Sequence, residues 1–158
     1  MALALPTRIR SIVNPAPAMP LDFHEVAAAD YFVPNESEAE VITGSSVRSL
    51  DDAKKCAEYL LRQGLSRVVI TLGERGSLLA TPNCMEHIPA FKVFPIDSTG
   101  AGDAFIGSFA VFLAEGLPDR EALTRASLYA ALSTTRVGTQ KSFLNRDDFD
   151  KEWQKRGA

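Results

Sequence analysis

What this 158-residue chain lacks narrows the reading first. It has two cysteines, Cys56 and Cys84, far apart and in no Cys-x-x-Cys arrangement. That excludes a disulfide-stapled scaffold and a zinc ribbon, and fits a reducing, cytosolic compartment. Long apolar runs are missing. The most apolar stretch, Ala104 to Ala114, is interrupted by Gly107 and Ser108, and falls short of the ~20 residues a spanning helix needs. No membrane association is expected. Basic charge is also scarce: 17 Lys and Arg against 20 Asp and Glu leave a net charge of −3. No footprint for nucleic acid follows from that balance. The start, Met1-Ala-Leu-Ala-Leu, carries no basic residue ahead of its apolar run, so no signal peptide is expected. Internal repeats, blocks of like charge and low-complexity tracts are absent, so the chain reads as one continuous unit. His24 and His87 have no sequence neighbours that suggest catalysis.

What is present is ordinary globular material, 46% hydrophobic and 23% charged, enough apolar substance for a core. Its pattern alternates strands with helices. Ser11 to Asn14 reads as a short strand, ended by Pro15 and Pro17. Leu21 to Ala28 suits a short helix. Tyr31-Phe-Val33 is strand-like and stops at Pro34. Asn35 or Ser37 then caps a helix over Glu36 to Thr43, closed by Gly44. Asp51 begins an amphipathic helix in which Ala53, Cys56, Ala57, Leu60 and Leu61 share a face, with Gly64 as its stop. Val68 to Leu72 is continuously apolar and β-branched, as in a strand buried on both faces. Ser77 to Thr81 and Glu86 to Pro89 predict a hairpin around Pro82-Asn83, and Val93 to Ile96 a further short strand. Ala104 to Glu115 and Arg120 to Arg136 predict long helices, and Asp147 to Lys155 a polar, peripheral one. Trp153, Phe143 and Phe149 are expected to pack that last helix. Alternation of this kind predicts an α/β fold with a mainly parallel sheet. In such sheets ligands sit beyond the carboxyl ends of the strands, near helix N-termini. The loops to search therefore begin at Asn14, Asn35, Gly73 and Asp97.

Asp97-Ser-Thr-Gly-Ala-Gly-Asp103 follows a predicted strand and opens an apolar helix. Gly100 and Gly102 flank Ala101, and their freedom lets backbone N–H groups converge at the positive end of a helix dipole. That makes an anion site suited to phosphate oxygens. Asp103 repels a phosphate merely bound there. It makes sense if it accepts a proton from a hydroxyl attacking that phosphate. The alternative is a glycine-rich turn with Asp103 capping the helix. Likewise, Asn35 can be only a helix N-cap, with Glu36 and Glu38 as first-turn acids favoured by the dipole. Thr71-Leu-Gly73 can simply end a buried strand.

Taken together, these segments are identified with a family. Asp97 to Phe105 resembles the signature of the ribokinase-like sugar kinases, the phosphofructokinase-B family. Asn14-Pro-Ala-Pro-Ala18, the Asn-x-x-Glu pair in Asn35-Glu-Ser-Glu-Ala-Glu40, the turn Thr71-Leu-Gly-x-x-Gly76 and Arg136-Val-Gly-Thr-Gln140 resemble other family segments in the same order. The resemblance runs from about Ser11 to the end of the chain. It implies a three-layer α/β/α ribokinase-like fold, with residues 1–158 as its C-terminal nucleotide-binding and catalytic part and residues 1–10 as an atypical leader. It implies an ATP-dependent kinase that transfers the γ-phosphoryl group to the 5-hydroxyl of D-ribose, with ATP, Mg²⁺ and K⁺. Asp103 matches the base, and Gly100, Ala101 and Gly102 the anion hole. Asn35 and Glu38 match the magnesium–phosphate network, and Thr71, Gly73, Gly76 and Ser127 the nucleotide site. Asp97, Thr99, Ser133, Arg136, Gly138 and Ser142 match the monovalent-cation site, Arg136 through its carbonyl. The resemblance also implies a cytoplasmic location and a homodimer of the full-length enzyme. The family's N-terminal strands, lid and sugar-gripping segment have no counterpart before Ser11, so the chain alone is expected to have little or no activity. A fragment or isoform, a gene model begun at an internal methionine and half of a split protein all fit. So do a non-catalytic nucleotide-binding module and a kinase acting on another sugar or nucleoside.

Overall fold

The computed structural model describes residues 10–19 and 21–156. Of the atypical leader read over residues 1–10, all but Arg10 lies outside them. Strands β1 (Ile12–Val13), β2 (Tyr31–Phe32), β3 (Val68–Thr71), β4 (Ser77–Thr81) and β5 (Cys84–Ile88) form one sheet in that order. β1, β2 and β3 are parallel, with Ile12 opposite Tyr31 and Phe32 opposite Val68. β3, β4 and β5 are antiparallel, with Val69 opposite Leu79 and Ser77 opposite Ile88. The α/β class stands, but the sheet is mixed. The expectation of parallel strands describes its first three members only, because tight turns at Gly73–Gly76 and at Pro82-Asn83 each reverse the chain within the sheet.

The helices are α1 (Phe23–Val26), α2 (Glu36–Thr43), α3 (Leu50–Arg62), α4 (Ala101–Ala114), α5 (Asp119–Ser133), α6 (Thr139–Ser142) and α7 (Arg146–Arg156). Side chains of a strand alternate between faces, and both faces here are covered. Tyr31, Val33, Val69, Leu79 and Ile88 pack with Phe105, Phe109, Phe112, Leu123 and Phe149 of α4, α5 and α7. Phe32, Val68, Ile70, Leu72, Leu78 and Ala80 pack with Ala39, Ala53, Cys56, Ala57 and Leu60 of α2 and α3. This is the three-layer α/β/α arrangement. It explains why β3 reads as an unbroken apolar run: neither of its faces meets water.

Local chemistry sets the helix ends. Ser49 caps α3 in a reciprocal capping box with Asp52. Of the α3 face read from the sequence, Ala53, Cys56, Ala57 and Leu60 are buried and Leu61 is half-buried at its edge. On the other layer Tyr31 meets Phe109 edge to face at 5.1 Å, and Phe149 seats α7 against Phe112 at 5.3 Å. Arg125 lies over the Trp153 ring at 4.8 Å, so the terminal helix is anchored rather than merely peripheral.

Two expectations change. Val93 to Ile96 is not a strand: the N–H groups of Ile96 and Asp97 both donate to Thr134 O at the end of α5, at 2.7 and 3.0 Å, and Phe94 is 95% exposed. Helix α4 starts at Ala101, inside the glycine motif, and not at Ala104. Among the described residues no helix is long and apolar enough to cross a membrane.

Candidate active site

The parallel strands bring three polar residues to one end of the sheet. Asn14 follows β1, Asn35 follows β2, and Thr71 closes β3, bridged to Asn35 in parallel fashion. The Thr71 N–H donates to Pro34 O at 3.0 Å. Asn35 is the N-cap of α2: its Oδ1 accepts from the Glu38 N–H at 2.9 Å, and Glu38 Oε2 accepts from the Asn35 N–H at 2.7 Å. The capping reading of this pair is therefore correct as far as it goes. Glu38, however, is buried, and the same Oε2 accepts from Asn14 Nδ2 at 3.4 Å. Asn14 Nδ2 also donates to Val33 O at 2.8 Å. A cap needs no burial and no third partner, so a fixed carboxylate at the strand ends is something more than a helix start. Asn14 belongs to a family-like segment but has no assigned place in the site from sequence; its signal is an asparagine ending one strand where Asn35 follows the next.

Beyond Thr71 the chain makes a single 3₁₀ turn, Gly73–Arg75, closed by Gly76. The Leu72 N–H donates to Gly76 O at 2.8 Å. The two glycines serve different ends. Gly76 has φ +90°, and a Cβ there would stand 2.0 Å from Ile88 O, so its role is to let the turn press onto β5. Gly73 has φ +56° and an open space where its Cβ would lie, which leaves the backbone approachable from outside.

The loop before α4 is built around Asp97. Its Oδ1 accepts from the Thr99 N–H and its Oδ2 from the Gly138 N–H, both at 3.0 Å. A bond from the Thr99 side chain first, then those from the Gly138 and Thr99 N–H groups, hold the Asp97 carboxyl down at about 2. Gly100 is the α4 N-cap in the left-handed conformation at φ +79°, and its α-carbon faces Thr139, whose Cγ2 would sit 3.1 Å from an added Cβ. The segment 134–139 thus braces the glycine loop from behind. Ala101 N–H is taken by Ser98 O at 3.1 Å. The N–H groups of Gly102 and Asp103 have no backbone acceptor among the described residues, so they stay open at the positive end of a fourteen-residue helix.

Asp103 lies in the first turn of α4 but does not cap it: no side-chain cap bond is made. Its carboxylate is exposed and has no hydrogen-bond or ion-pair partner among the described residues. The capping alternative for Asp103 fails on that geometry. An acid beside open N–H donors combines the chemistry of a general base with that of an anion site.

The structure therefore gathers Asn35, Glu38 and Thr71, with Asn14, in one cluster, and Asp97, Thr99, Gly100 and Gly138, with Thr134 and Thr139, in another. Ser133 and Ser142 are buried and spend their hydroxyls locally, on Ala130 O at 2.8 Å and Thr139 O at 2.6 Å. Arg136 is exposed between them. Ser127 is buried on α5 and joins neither cluster.

The profile of the pfkB family carbohydrate kinases matches residues 4–146. The chain belongs to the pfkB family of carbohydrate kinases. As a pfkB chain it is 41% identical over 143 residues to the deoxyribokinase of Salmonella typhi, covering 90% of this chain and 47% of that one. The ribokinase of Thermotoga maritima superposes with a TM-score of 0.83 at 36% identity, over 92% of this chain and 49% of the other. The Arabidopsis thaliana ribokinase complexed with ribose and ATP gives 0.82 at 28% identity, over 90% and 47%. This pfkB chain spans about half the length of the curated relatives it matches.

Proposed function

We propose that this chain carries the nucleotide and phosphoryl-transfer machinery of an ATP-dependent pentose kinase acting on D-ribose. The observation that carries the reading is Asp103: an exposed, unpartnered carboxylate in the first turn of α4, next to the open N–H groups of the glycine loop. Asp103 takes the proton from the primary hydroxyl of the sugar as that oxygen attacks the γ-phosphorus. The bond from that phosphorus to the β,γ-bridging oxygen breaks, and ADP and ribose 5-phosphate leave. The Gly100–Gly102 backbone faces the charge that spreads over the transferring group. Such donors cost nothing to reorganise at the moment of reaction. Thr71 and Gly73 line the nucleotide, Gly76 shapes their turn, and Ser127 stands on the helix side of that site. Support comes from the Arabidopsis relative, which holds ribose and ATP.

Two ions belong to this reading. Among the described residues no cluster of three or more His, Cys, Asp or Glu gathers to cage a metal. One buried carboxylate, Glu38, steadied by Asn35 and Asn14, suits Mg²⁺, which takes few carboxylates beside phosphate oxygens and water. Mg²⁺ held there neutralises phosphate charge. Asp97, ionised throughout the physiological range, supplies the hard oxygen donors that a K⁺ ion takes, with Thr99, Ser133, Arg136, Gly138 and Ser142 around it. A cytoplasmic location and a homodimer of the full-length enzyme go with the same reading, and both cysteines are free.

One specific observation favours a second sugar: the Salmonella typhi relative is a deoxyribokinase. The test therefore has two arms. Calorimetric titration with MgATP is expected to show binding, unchanged within about threefold in Asp103→Asn. Coupled ADP-release assays with D-ribose and with 2-deoxy-D-ribose then read turnover in whichever assembly supports it. There Asp103→Asn is expected to lower kcat by about 100-fold or more. Near-normal kcat in that variant removes Asp103 as the base.

A further inference from the structure

Arg75 fills one of the two unspecified positions of the Thr71-Leu-Gly-x-x-Gly76 turn, and the proposed chemistry makes no use of it. The structure gives it more partners than any other residue of that turn. Its Nη2 pairs with Glu36 Oε1, and also reaches Val47 O at 3.4 Å. Its Nη1 donates to Arg48 O at 2.5 Å. Its own carbonyl accepts from His87 Nε2 of β5 at 2.6 Å. One residue thus ties the turn to the first turn of α2, to the connection between α2 and α3, and to the hairpin. The connection is itself fastened to α2, since Glu40 Oε1 accepts from the Val47 N–H at 2.7 Å and from Ser46 Oγ at 3.1 Å.

Glu36 directly follows Asn35, the residue that opens α2 and brackets Glu38. The backbone bridge from Asn35 to Thr71 fixes the near end of the turn. Strand pairing of Thr71 with Ser77 and of Ser77 with Ile88 holds the far end, and the Arg75 side chain joins the tip of the turn to α2 and to the connection that follows it. An exposed ion pair alone contributes little. A planar guanidinium that engages a carboxylate and two carbonyls at once fixes direction as well as distance.

We propose that Arg75 is a positioning residue for the nucleotide: its side chain locks the Gly73–Gly76 turn to the N-terminus of α2, so that the nucleotide-facing backbone and the Asn35–Glu38 pair keep one fixed spacing. The proposal rests on the nucleotide reading given above. It acts through geometry and requires no contact between Arg75 and the ligand.

The test is calorimetric titration of MgATP into the wild-type chain, Arg75→Gln, Arg75→Lys, Glu36→Gln and the double variant Arg75→Gln/Glu36→Gln, with thermal unfolding of each recorded. Arg75→Gln is expected to weaken binding about tenfold while Tm falls by no more than a few degrees. Glu36→Gln weakens it less. The double variant is no weaker than Arg75→Gln, because both changes remove one link. Arg75→Lys does not restore affinity, since a single ammonium cannot span the three acceptors. Wild-type affinity in Arg75→Gln overturns the proposal and leaves the nucleotide reading standing, as do losses that add fully in the double variant. Absence of MgATP binding by the wild-type chain overturns both. If Arg75→Gln does not fold, Glu36→Gln decides alone: weakened binding supports the link and unchanged binding overturns it.

Discussion

Asp97 accepts a hydrogen bond from the Gly138 N–H at 3.0 Å, across 41 positions of sequence. With Thr99 on its other oxygen, the side chain joins the loop before α4 to the loop after α5. The Gly100–Gly102 loop and the candidate cation site are therefore one mechanical unit. A substitution on the α5 side is felt at Gly100 through Thr139 and Gly138.

A pH dependence follows from this pair. The Asp97 carboxyl is depressed to about 2 by bonds from Thr99 and Gly138, against an unfolded-state value of ~3.9. A depressed acid contributes stability above its unfolded pKa, and loses it as pH falls through the folded one. Wild type is expected to be more stable than Asp97→Asn at pH 7, with the difference shrinking from about pH 4 and gone near the folded value of about 2. Thermal unfolding of both proteins across that range checks it. A difference that stays constant over the range refutes the assignment. In turnover assays, Asp97→Asn is expected to erase any preference for K⁺ over Na⁺ or Li⁺.

The two glycines of the turn after β3 also separate in their effects. Gly76→Ala places a Cβ 2.0 Å from Ile88 O and 2.7 Å from Ala90 N, at φ +90°. Backbone atoms cannot move aside as a side chain can, so a loss of about 3 kcal/mol is expected from strain and overpacking together. Gly73→Ala, at φ +56° with free space around it, is expected to lose about 1 kcal/mol. Its larger effect should fall on MgATP affinity, because it crowds the approachable backbone. Chemical denaturation and titration of the two variants distinguish stability from binding.

Much of this was legible in the sequence because the signals are local or periodic. The unbroken apolar run of β3 reported burial on both faces, and the 3.6-residue spacing in α3 named its inner side chains before any coordinates. The Gly100-Ala-Gly102-Asp103 motif marked its loop by composition alone. What was hidden depends on contacts distant in sequence. Val93 to Ile96 has strand-like residues, yet the N–H groups of Ile96 and Asp97 meet Thr134 O instead of a neighbouring strand. The α6 turn at Thr139–Ser142 is too short to leave a periodicity. Glu38 shows itself as more than a first-turn acid only when Asn14 reaches it. Arg75 occupies a position that the motif leaves unspecified, and its partners lie 28 and 39 residues away.

Core packing on the α4 side predicts the largest loss. Phe109 is fully buried between Tyr31 and the rest of the aromatic cluster. Its ring has no space to be replaced by relaxation, and Phe109→Ala is expected to cost about 4 kcal/mol. That is a large fraction of the stability of a typical domain. Denaturant unfolding should show a lower midpoint with little change in slope. A loss below about 1.5 kcal/mol would mean that the layer is looser than its contacts indicate.

The sharpest test of the Asn35 site uses two substitutions that a helix cap cannot tell apart from wild type in the same way. Asn35 Oδ1 caps α2 through the Glu38 N–H. Aspartate caps as well as asparagine does, and favours the dipole, whereas alanine costs about 1 kcal/mol. If capping is the whole role, Asn35→Ala lowers stability by that amount and Asn35→Asp leaves stability and ligand binding alone. The geometry argues otherwise. Asn35→Asp sets a second negative charge within reach of Glu38, whose Oε2 already holds the Asn35 N–H at 2.7 Å. Two carboxylates that close repel each other and a triphosphate alike. Asn35→Asp is therefore expected to lose about 1 kcal/mol of stability to that repulsion and to bind MgATP about tenfold more weakly. Asn35→Ala loses both. Equal affinity in Asn35→Asp and wild type returns Asn35 to a cap and nothing else.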